Sequence, residues 1–406
     1  MIYIKRRTAR KIREIIDFLP VVVVAGARQV GKSTMLQHEF EGYRYLTFDD
    51  YDLLARARTD PSSLWVDSNY IIIDEAQKLP SIFPAIKLAV DHSDRRKRFI
   101  VSGSANLYLM EKVTESLAGR AAYHDLLPFS VGEVQGAISP SNFNSLWEEE
   151  CHPSPMEPPK ADLIETMLRG FMPPVLELET QKQVITWMDG YVRMYLERDL
   201  RQLSQVESLI DFRKVMQCVA LRTGSILNQA DVAKDCGLSH ATTHRYIRLL
   251  EVSHIISRVP AYSASRSKRL VKTPKLFFLD PALAVFLAGH TGADSLKISR
   301  ELGGCFETLI YLHLRSLSSL MTPPATIHYW RTSTNCEVDF VIEHGRHALP
   351  VEAKLTRTPR FADAESLLAF LEVHPQASRG VLVHAGSEIT WLHSKVIAVP
   401  WWWLDM

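Results

Sequence analysis

Three groups of residues have the types and spacing to do chemistry. The first runs from Gly26 to Ser33, GARQVGKS, and fits G-x-x-x-x-G-K-[ST]. In that pattern the glycines let backbone N–H groups turn inward around phosphate oxygens. The lysine sets its ammonium against the outer phosphates, and the hydroxyl reaches Mg2+. Gly26, Ala27, Arg28, Gln29, Val30, Gly31, Lys32, Ser33 and Thr34 thus form a candidate ATP loop. The alternative is a plain strand-turn-helix. Downstream, YIIIDEAQ ends an apolar run in Asp74 and Glu75. There Asp74 can hold the metal through water while Glu75 polarises an attacking water. The alternative for this pair is two acids capping the next helix.

The second group lies near the C-terminus, in EVDFV and VEAKL. Strand alternation predicts Glu337, Asp339 and Val341 on one face, and Glu352 and Lys354 projecting together. Carboxylates on neighbouring strands can hold Mg2+ or Mn2+ while a lysine orients water, and Glu307 on a preceding helix would add a ligand. A hairpin with one solvated face gives the same alternation of charge.

The third group is LNQADVAKDCGLSHATTHRYIRLLE, which has helix-turn-helix logic. Asn228 and Ser239 are placed to cap two helices, and Gly237 supplies the turn. Val232, Ala233, Leu238, Ile247 and Leu250 fall on an inner face. His240, Thr242, Thr243, His244, Arg245 and Arg248 then fall on or near the outer one. SASRSKRLVK follows, with Arg266, Lys268, Arg269 and Lys272 as a basic wing tip. Short polar and basic groups beside a groove-sized helix suit DNA phosphates. Such modules also serve as packing or protein-docking surfaces.

The elements needed to position these groups are legible in outline. VVVVAGA, YRYLTFDD, YIIIDEAQ and RRKRFIVSGSA read as strands separated by helical runs, the pattern of a parallel sheet covered on both faces. The acids of FDD, 48–50, suit a turn as well as a site. A Pro- and Ser-rich stretch, GAISPSNFNSLWEEECHPSPMEPPK, reads as a surface insertion. Helices follow, then two short strands, then GCFETLIYLHLRSL and a set of alternating strands ending in VIAVPWWWLDM. The fold class is therefore α/β. Four domains are predicted: an ATPase core over 1–138, an insertion loop and helical lid over 139–205, a winged-helix domain over 206–299, and a nuclease-like domain over 300–406. Trp330 and the three tryptophans of the tail suit packing better than recognition.

Composition narrows the partners. The chain has 406 residues, 46% of them hydrophobic, and a net charge of +1, so attraction to nucleic acid must come from local patches. Five scattered cysteines, none in CxxC spacing, do not form a disulfide framework and suit a reducing cytoplasm. The basic N-terminus has no signal-peptide core behind it, and no apolar run approaches the ~20 residues of a membrane helix.

GARQVGKST, IIIDEAQ, VSGSAN, SLAGR and LPFSVGEV together resemble a family of prokaryotic AAA+-type ATPases with a helical lid, a winged helix and a C-terminal domain of poorly understood function. RGFMPPV and YLERDL are similar to later segments of that family. The resemblance spans essentially the whole chain. It implies a P-loop domain using ATP and Mg2+, with Ser102 or Ser104 as the sensor facing the γ-phosphate. It implies Arg120 as an arginine finger or sensor, the alternative being a structural ion pair. An arginine donated between subunits would need a homo-oligomer. Asp339, Glu352 and Lys354 look like the PD-(D/E)xK nuclease pattern, which implies a restriction-endonuclease-like fold; Val338 stands where that pattern often has proline. Together these imply an ATPase acting on DNA in repair, recombination or defence. The alternative is a nucleotide-controlled switch that binds DNA or a protein without cutting.

Overall fold

The structure is a computed structural model that describes residues 3–103, 116–151, 153, 156–160, 162–196, 208–263, 265, 269 and 272–406. The chain divides into two units, one built on residues 1–128 and the other on most of 129–406. The segments expected as lid, winged helix and nuclease-like domain pack together in the second unit.

The first unit begins with α1 (Arg7–Phe18), then β1 (Val21–Ala25), α2 (Lys32–Glu39), β2 (Arg44–Thr47), α3 (Tyr51–Thr59), β3 (Tyr70–Asp74), α4 (Ile82–His92), β4 (Arg98–Ser102) and β5 (Ala121–Asp125). The strands are apolar and β-branched because both faces are covered. Val21, Val23, Ile71, Ile73, Phe99 and Val101 share one core with Ile82, Phe83 and Ile86 of α4. The alternate residues Val22, Val24, Ile72 and Ile100 are fully buried too, and α1 packs on β1. All pairings are parallel, in the order β2-β3-β4-β1-β5. Asp50 of FDD caps α3, and Asp49 pairs with Lys78, so these acids are turn and surface groups.

In the second unit α5 (Leu163–Arg169) and α6 (Gln181–Tyr191) cover the predicted lid segment. They precede α7 (Leu209–Ala220), β6 (Ser225–Ile226), α8 (Gln229–Cys236), α9 (His240–Val252), β7 (Ile256–Val259) and β8 (Lys275–Phe278). The three strands form an antiparallel sheet in the order β6-β8-β7. As expected, Asn228 caps α8 and Gly237 ends it in the left-handed conformation, at φ +67°. The Ser239 hydroxyl accepts from the Thr242 amide at 3.1 Å.

Next come α10 (Pro281–Leu287) and α11 (Leu302–Leu320), then β9 (Thr326–Arg331), β10 (Glu337–His344), β11 (His347–Lys354), α12 (Glu365–Val373), β12 (Gly380–His384), β13 (Thr390–His393) and β14 (Val396–Pro400). The six strands form one mixed sheet, ordered β13-β14-β12-β11-β10-β9. Trp401, Trp402 and Trp403 are buried, and Trp330 packs in the core with Phe370, so these rings do serve packing. The tail is tied down: Gly132 N–H donates to Asp405 at 2.5 Å, and the Asn142 amide donates to the Trp403 carbonyl at 3.0 Å. No helix among the described residues is long and apolar enough to cross a membrane.

Candidate functional sites

The nucleotide loop forms where β1 ends. Gly26 has φ +148°, and a Cβ there would lie 2.3 Å from the Leu126 carbonyl oxygen, so only glycine fits. Gly31 is left-handed at φ +90° and opens α2 with no side-chain cap, which leaves the first-turn N–H groups for an anion. Gln29 has φ +63°, an uncommon conformation for a non-glycine residue and one found at ligand clamps. Arg6, missed in the sequence reading, is buried behind the loop and donates to the carbonyls of Val30 at 3.1 Å and Leu127 at 2.5 Å. Lys32 is 7% exposed and donates to the carbonyls of Gly26 and Ala27 at 2.9 and 2.8 Å. Burial lowers its pKa to about 8, against the opposing pull of Glu75 and Asp74.

β4 lies between β1 and β3, with Val24 level with Ser102 and Ile73 level with Val101. Ser102 and Asp74 therefore finish side by side at the carboxyl ends of the strands, where open α/β sheets bind ligands. The Ser102 hydroxyl donates to one oxygen of Asp74, and the Tyr45 hydroxyl donates to the other at 2.5 Å. Burial and the bond to Asp74 raise the Tyr45 pKa. The sequence offered no sign of Tyr45, since an edge-strand tyrosine also suits plain packing. Glu75 follows at φ +56°, receives a bond from Gln77, and has a raised pKa through burial and the neighbouring Asp74. Ser33 hydroxyl and Asp74 carboxylate are hard oxygen donors, which fits Mg2+.

Of the two sensor candidates, Ser102 stands beside Asp74, and Ser104 lies outside the described residues. Arg120 takes the place given as its alternative, an ion pair. It precedes β5, and its carbonyl accepts from Val21 N–H at the amino ends of the strands. That is about 16 Å of strand from the loop. Its guanidinium holds Asp91 at 2.8 and 2.9 Å, so within its own subunit it is an ion-pair residue.

The helix-turn-helix places its predicted contacts unequally. Thr243 is 0% exposed and faces inward with Tyr246, Ile247 and Leu250, the buried stripe at helical spacing, so it is no surface contact. His240, His244 and Arg248 are exposed at intervals of four on α9, and Arg245 is half-buried against Tyr246. Arg266 and Lys268 lie outside the described residues. Arg269 is taken up elsewhere: it forms a two-pronged pair with Glu343 at 2.6 and 3.0 Å and lies over the Tyr262 ring.

The C-terminal acids do converge. A bulge in β10 puts Asp339 and Phe340 opposite the single residue Tyr329 of β9. It reverses the parity of the strand, so Val341 joins Val338 in the core instead of sharing a face with Asp339. Where the β10–β11 ladder opens, the Asp339 carboxylate accepts from Ala353 N–H at 3.0 Å. Glu352 accepts from Asp339 N–H at 3.3 Å and from the Lys354 ammonium at 2.6 Å. The residue missed by the sequence reading is Lys275 of β8. Its ammonium lies 3.3 Å from Glu307, 2.5 Å from Glu337 and 3.0 Å from Asp339. Burial pushes Glu307 and Glu352 up to about 8, with Asp339 adding to both shifts. Among the described residues no group of three or more His, Cys, Asp or Glu is set to hold a metal ion.

Three family models match the chain in succession: an AAA domain over 19–135, a domain of unknown function (DUF8612) over 160–294, and another (DUF4143) over 302–404. Uncharacterized proteins of Mycobacterium bovis and Mycobacterium tuberculosis are each 28% identical over 402 residues, covering 98% of this chain and 84% of theirs. A Walker-type ATPase of Pyrococcus abyssi is 15% identical, with 70% of this chain and 95% of that one covered at a TM-score of 0.46. The glycine loop, the five-stranded parallel sheet and Asp74 beside the loop all fall within residues 19–135, the stretch similar to an AAA domain.

Proposed function

We propose that the protein is a Mg2+-dependent ATPase whose nucleotide cycle governs a grip on duplex DNA. The observation that carries this is the meeting of Lys32, Ser33, Asp74 and Glu75 at the carboxyl ends of β1 and β3. Lys32 would neutralise the outer phosphates, and the uncapped start of α2 would bind them through N–H groups. Mg2+, held by Ser33 and Asp74, would neutralise charge on the phosphates. Glu75, its pKa raised, is poised to take hydrogen bonds from the attacking water, with Gln77 orienting the carboxylate. The DNA reading rests on the stripe of His240, His244 and Arg248 along the second helix of a helix-turn-helix.

The test is Lys32→Ala in the full chain. ATP turnover should fall at least about a hundredfold, the scale of losing a preorganised charge, while the melting temperature is kept. Hydrolysis at the unaltered rate would end this reading.

A further inference from the structure

Glu307, Glu337, Asp339 and Glu352, with Lys354, have the residue types of a metal-dependent phosphodiesterase centre, so the decisive matter is what balances their charge. In this chain the balancing cation is already present. Lys275 is 2% exposed, and its ammonium meets three of the four carboxylates. It has no room to retreat. β8 is the central strand of its sheet, and Lys275 is paired on both sides, with Ile226 and with Val259. The other wall is equally fixed. A Cβ on Gly304, at the start of α11, would lie 2.2 Å from the Thr223 carbonyl oxygen, and one on Gly224 would lie 2.8 Å from Gly304 Cα. The Thr223 and Thr308 hydroxyls bond at 2.7 Å. This close approach sets Glu307 against Lys275.

Two of the carboxylates are also spent. Asp339 gives one oxygen to Lys275 and the other to Ala353 N–H. Glu352 gives one to Lys354 and the other to Asp339 N–H. Those amides sit where the strands part, and without the carboxylates they would be buried donors with no partner, a costly state. A divalent ion would have to displace an anchored ammonium and strip two backbone amides.

We propose that Lys275 is the permanent counter-ion of this cluster and occupies the place of a divalent cation, so that the C-terminal domain is a non-hydrolytic module. The inference concerns the second unit alone, and ATP hydrolysis reports separately on the first unit.

The experiment titrates MnCl2 into nucleotide-free full-length protein and follows bound Mn2+ by electron paramagnetic resonance. Unaltered protein and Asp339→Asn should bind identically, and neither should nick supercoiled plasmid beyond a no-protein control. Lys275→Met, which keeps the side-chain length without the charge, should gain one Mn2+ site at least about tenfold tighter than any in the unaltered protein. Asp339→Asn added to it should erase that site. A site in the unaltered protein that Asp339→Asn removes would overturn the proposal, whether or not the Lys275 variant folds. A folded Lys275→Met that gains no Mn2+ site would overturn it as well.

Discussion

Lys32 shows how one side chain can carry both binding and pH dependence. Burial holds its pKa near 8, and the loop's own carbonyls take its protons where phosphate oxygens would otherwise do so. Binding a triphosphate needs the charged form. The folded pKa lies below the ordinary value of 10.5, so the proton is in place below about pH 8 and is lost above it. ATP affinity should therefore be level from pH 6.5 to 7.5 and weaken toward tenfold per unit above about pH 8. Lys32→Met should bind weakly and without this slope. Calorimetric titration with the nucleotide checks it, and equal affinity at pH 7 and pH 9.5 would refute it. The shift also bears on stability. The folded chain holds this proton less tightly than the unfolded chain, so Lys32 costs stability below about pH 8, and the cost fades as pH rises toward 10.5.

At the scale of elements, what could be read in advance was what is local. The glycine loop, the caps of α8 and α9 and the apolar strands of the first sheet follow from neighbours a few residues apart. What stayed hidden depends on distant partners. The Arg269–Glu343 pair and the placement of Lys275 among the acids join segments far apart in sequence, and the β10 bulge shifts a local register that alternation alone does not show. Thr243 was misplaced for another reason: a short polar residue on a helix is expected outside, and the buried stripe overrode that preference. The RGF turn after α5 is a further case. Gly170 has φ +69°, and a Cβ there would lie 2.4 Å from one carboxylate oxygen of Asp280. Asp280 caps α10 and accepts the Phe171 N–H at 2.9 Å. Gly170→Ala should therefore cost about 2–4 kcal/mol, part from the left-handed backbone and part from overpacking against Asp280. Urea denaturation followed on the second unit measures it, and an unmoved midpoint would show that the turn relaxes freely.

At the scale of the whole molecule, a net charge of +1 gives no global pull toward DNA, so any binding depends on local groups. The segments expected as lid, winged helix and nuclease-like domain share one unit: α5 packs on α10 and α11, and Ala261, just past β7, bridges to Tyr329 of β9. Linear sequence shows where composition changes, not which segments later share a core. With Thr243 and Arg269 occupied inside the fold, the exposed basic groups left among the described residues of the helix-turn-helix and its wing include Arg248 and Lys272. Each neutralised phosphate adds about 0.9 to the salt dependence, so the slope of log affinity against log salt should be shallow, about −2 to −4. Arg248→Ala should weaken duplex binding uniformly across sequences and reduce that slope by about 1. His244→Ala should weaken binding and leave the slope less altered, since it removes less charge. Fluorescence anisotropy on a labelled duplex between 50 and 200 mM KCl reads both quantities. If Arg248→Ala leaves affinity and slope as they were, α9 does not face DNA, and its exposed stripe must instead serve a protein partner.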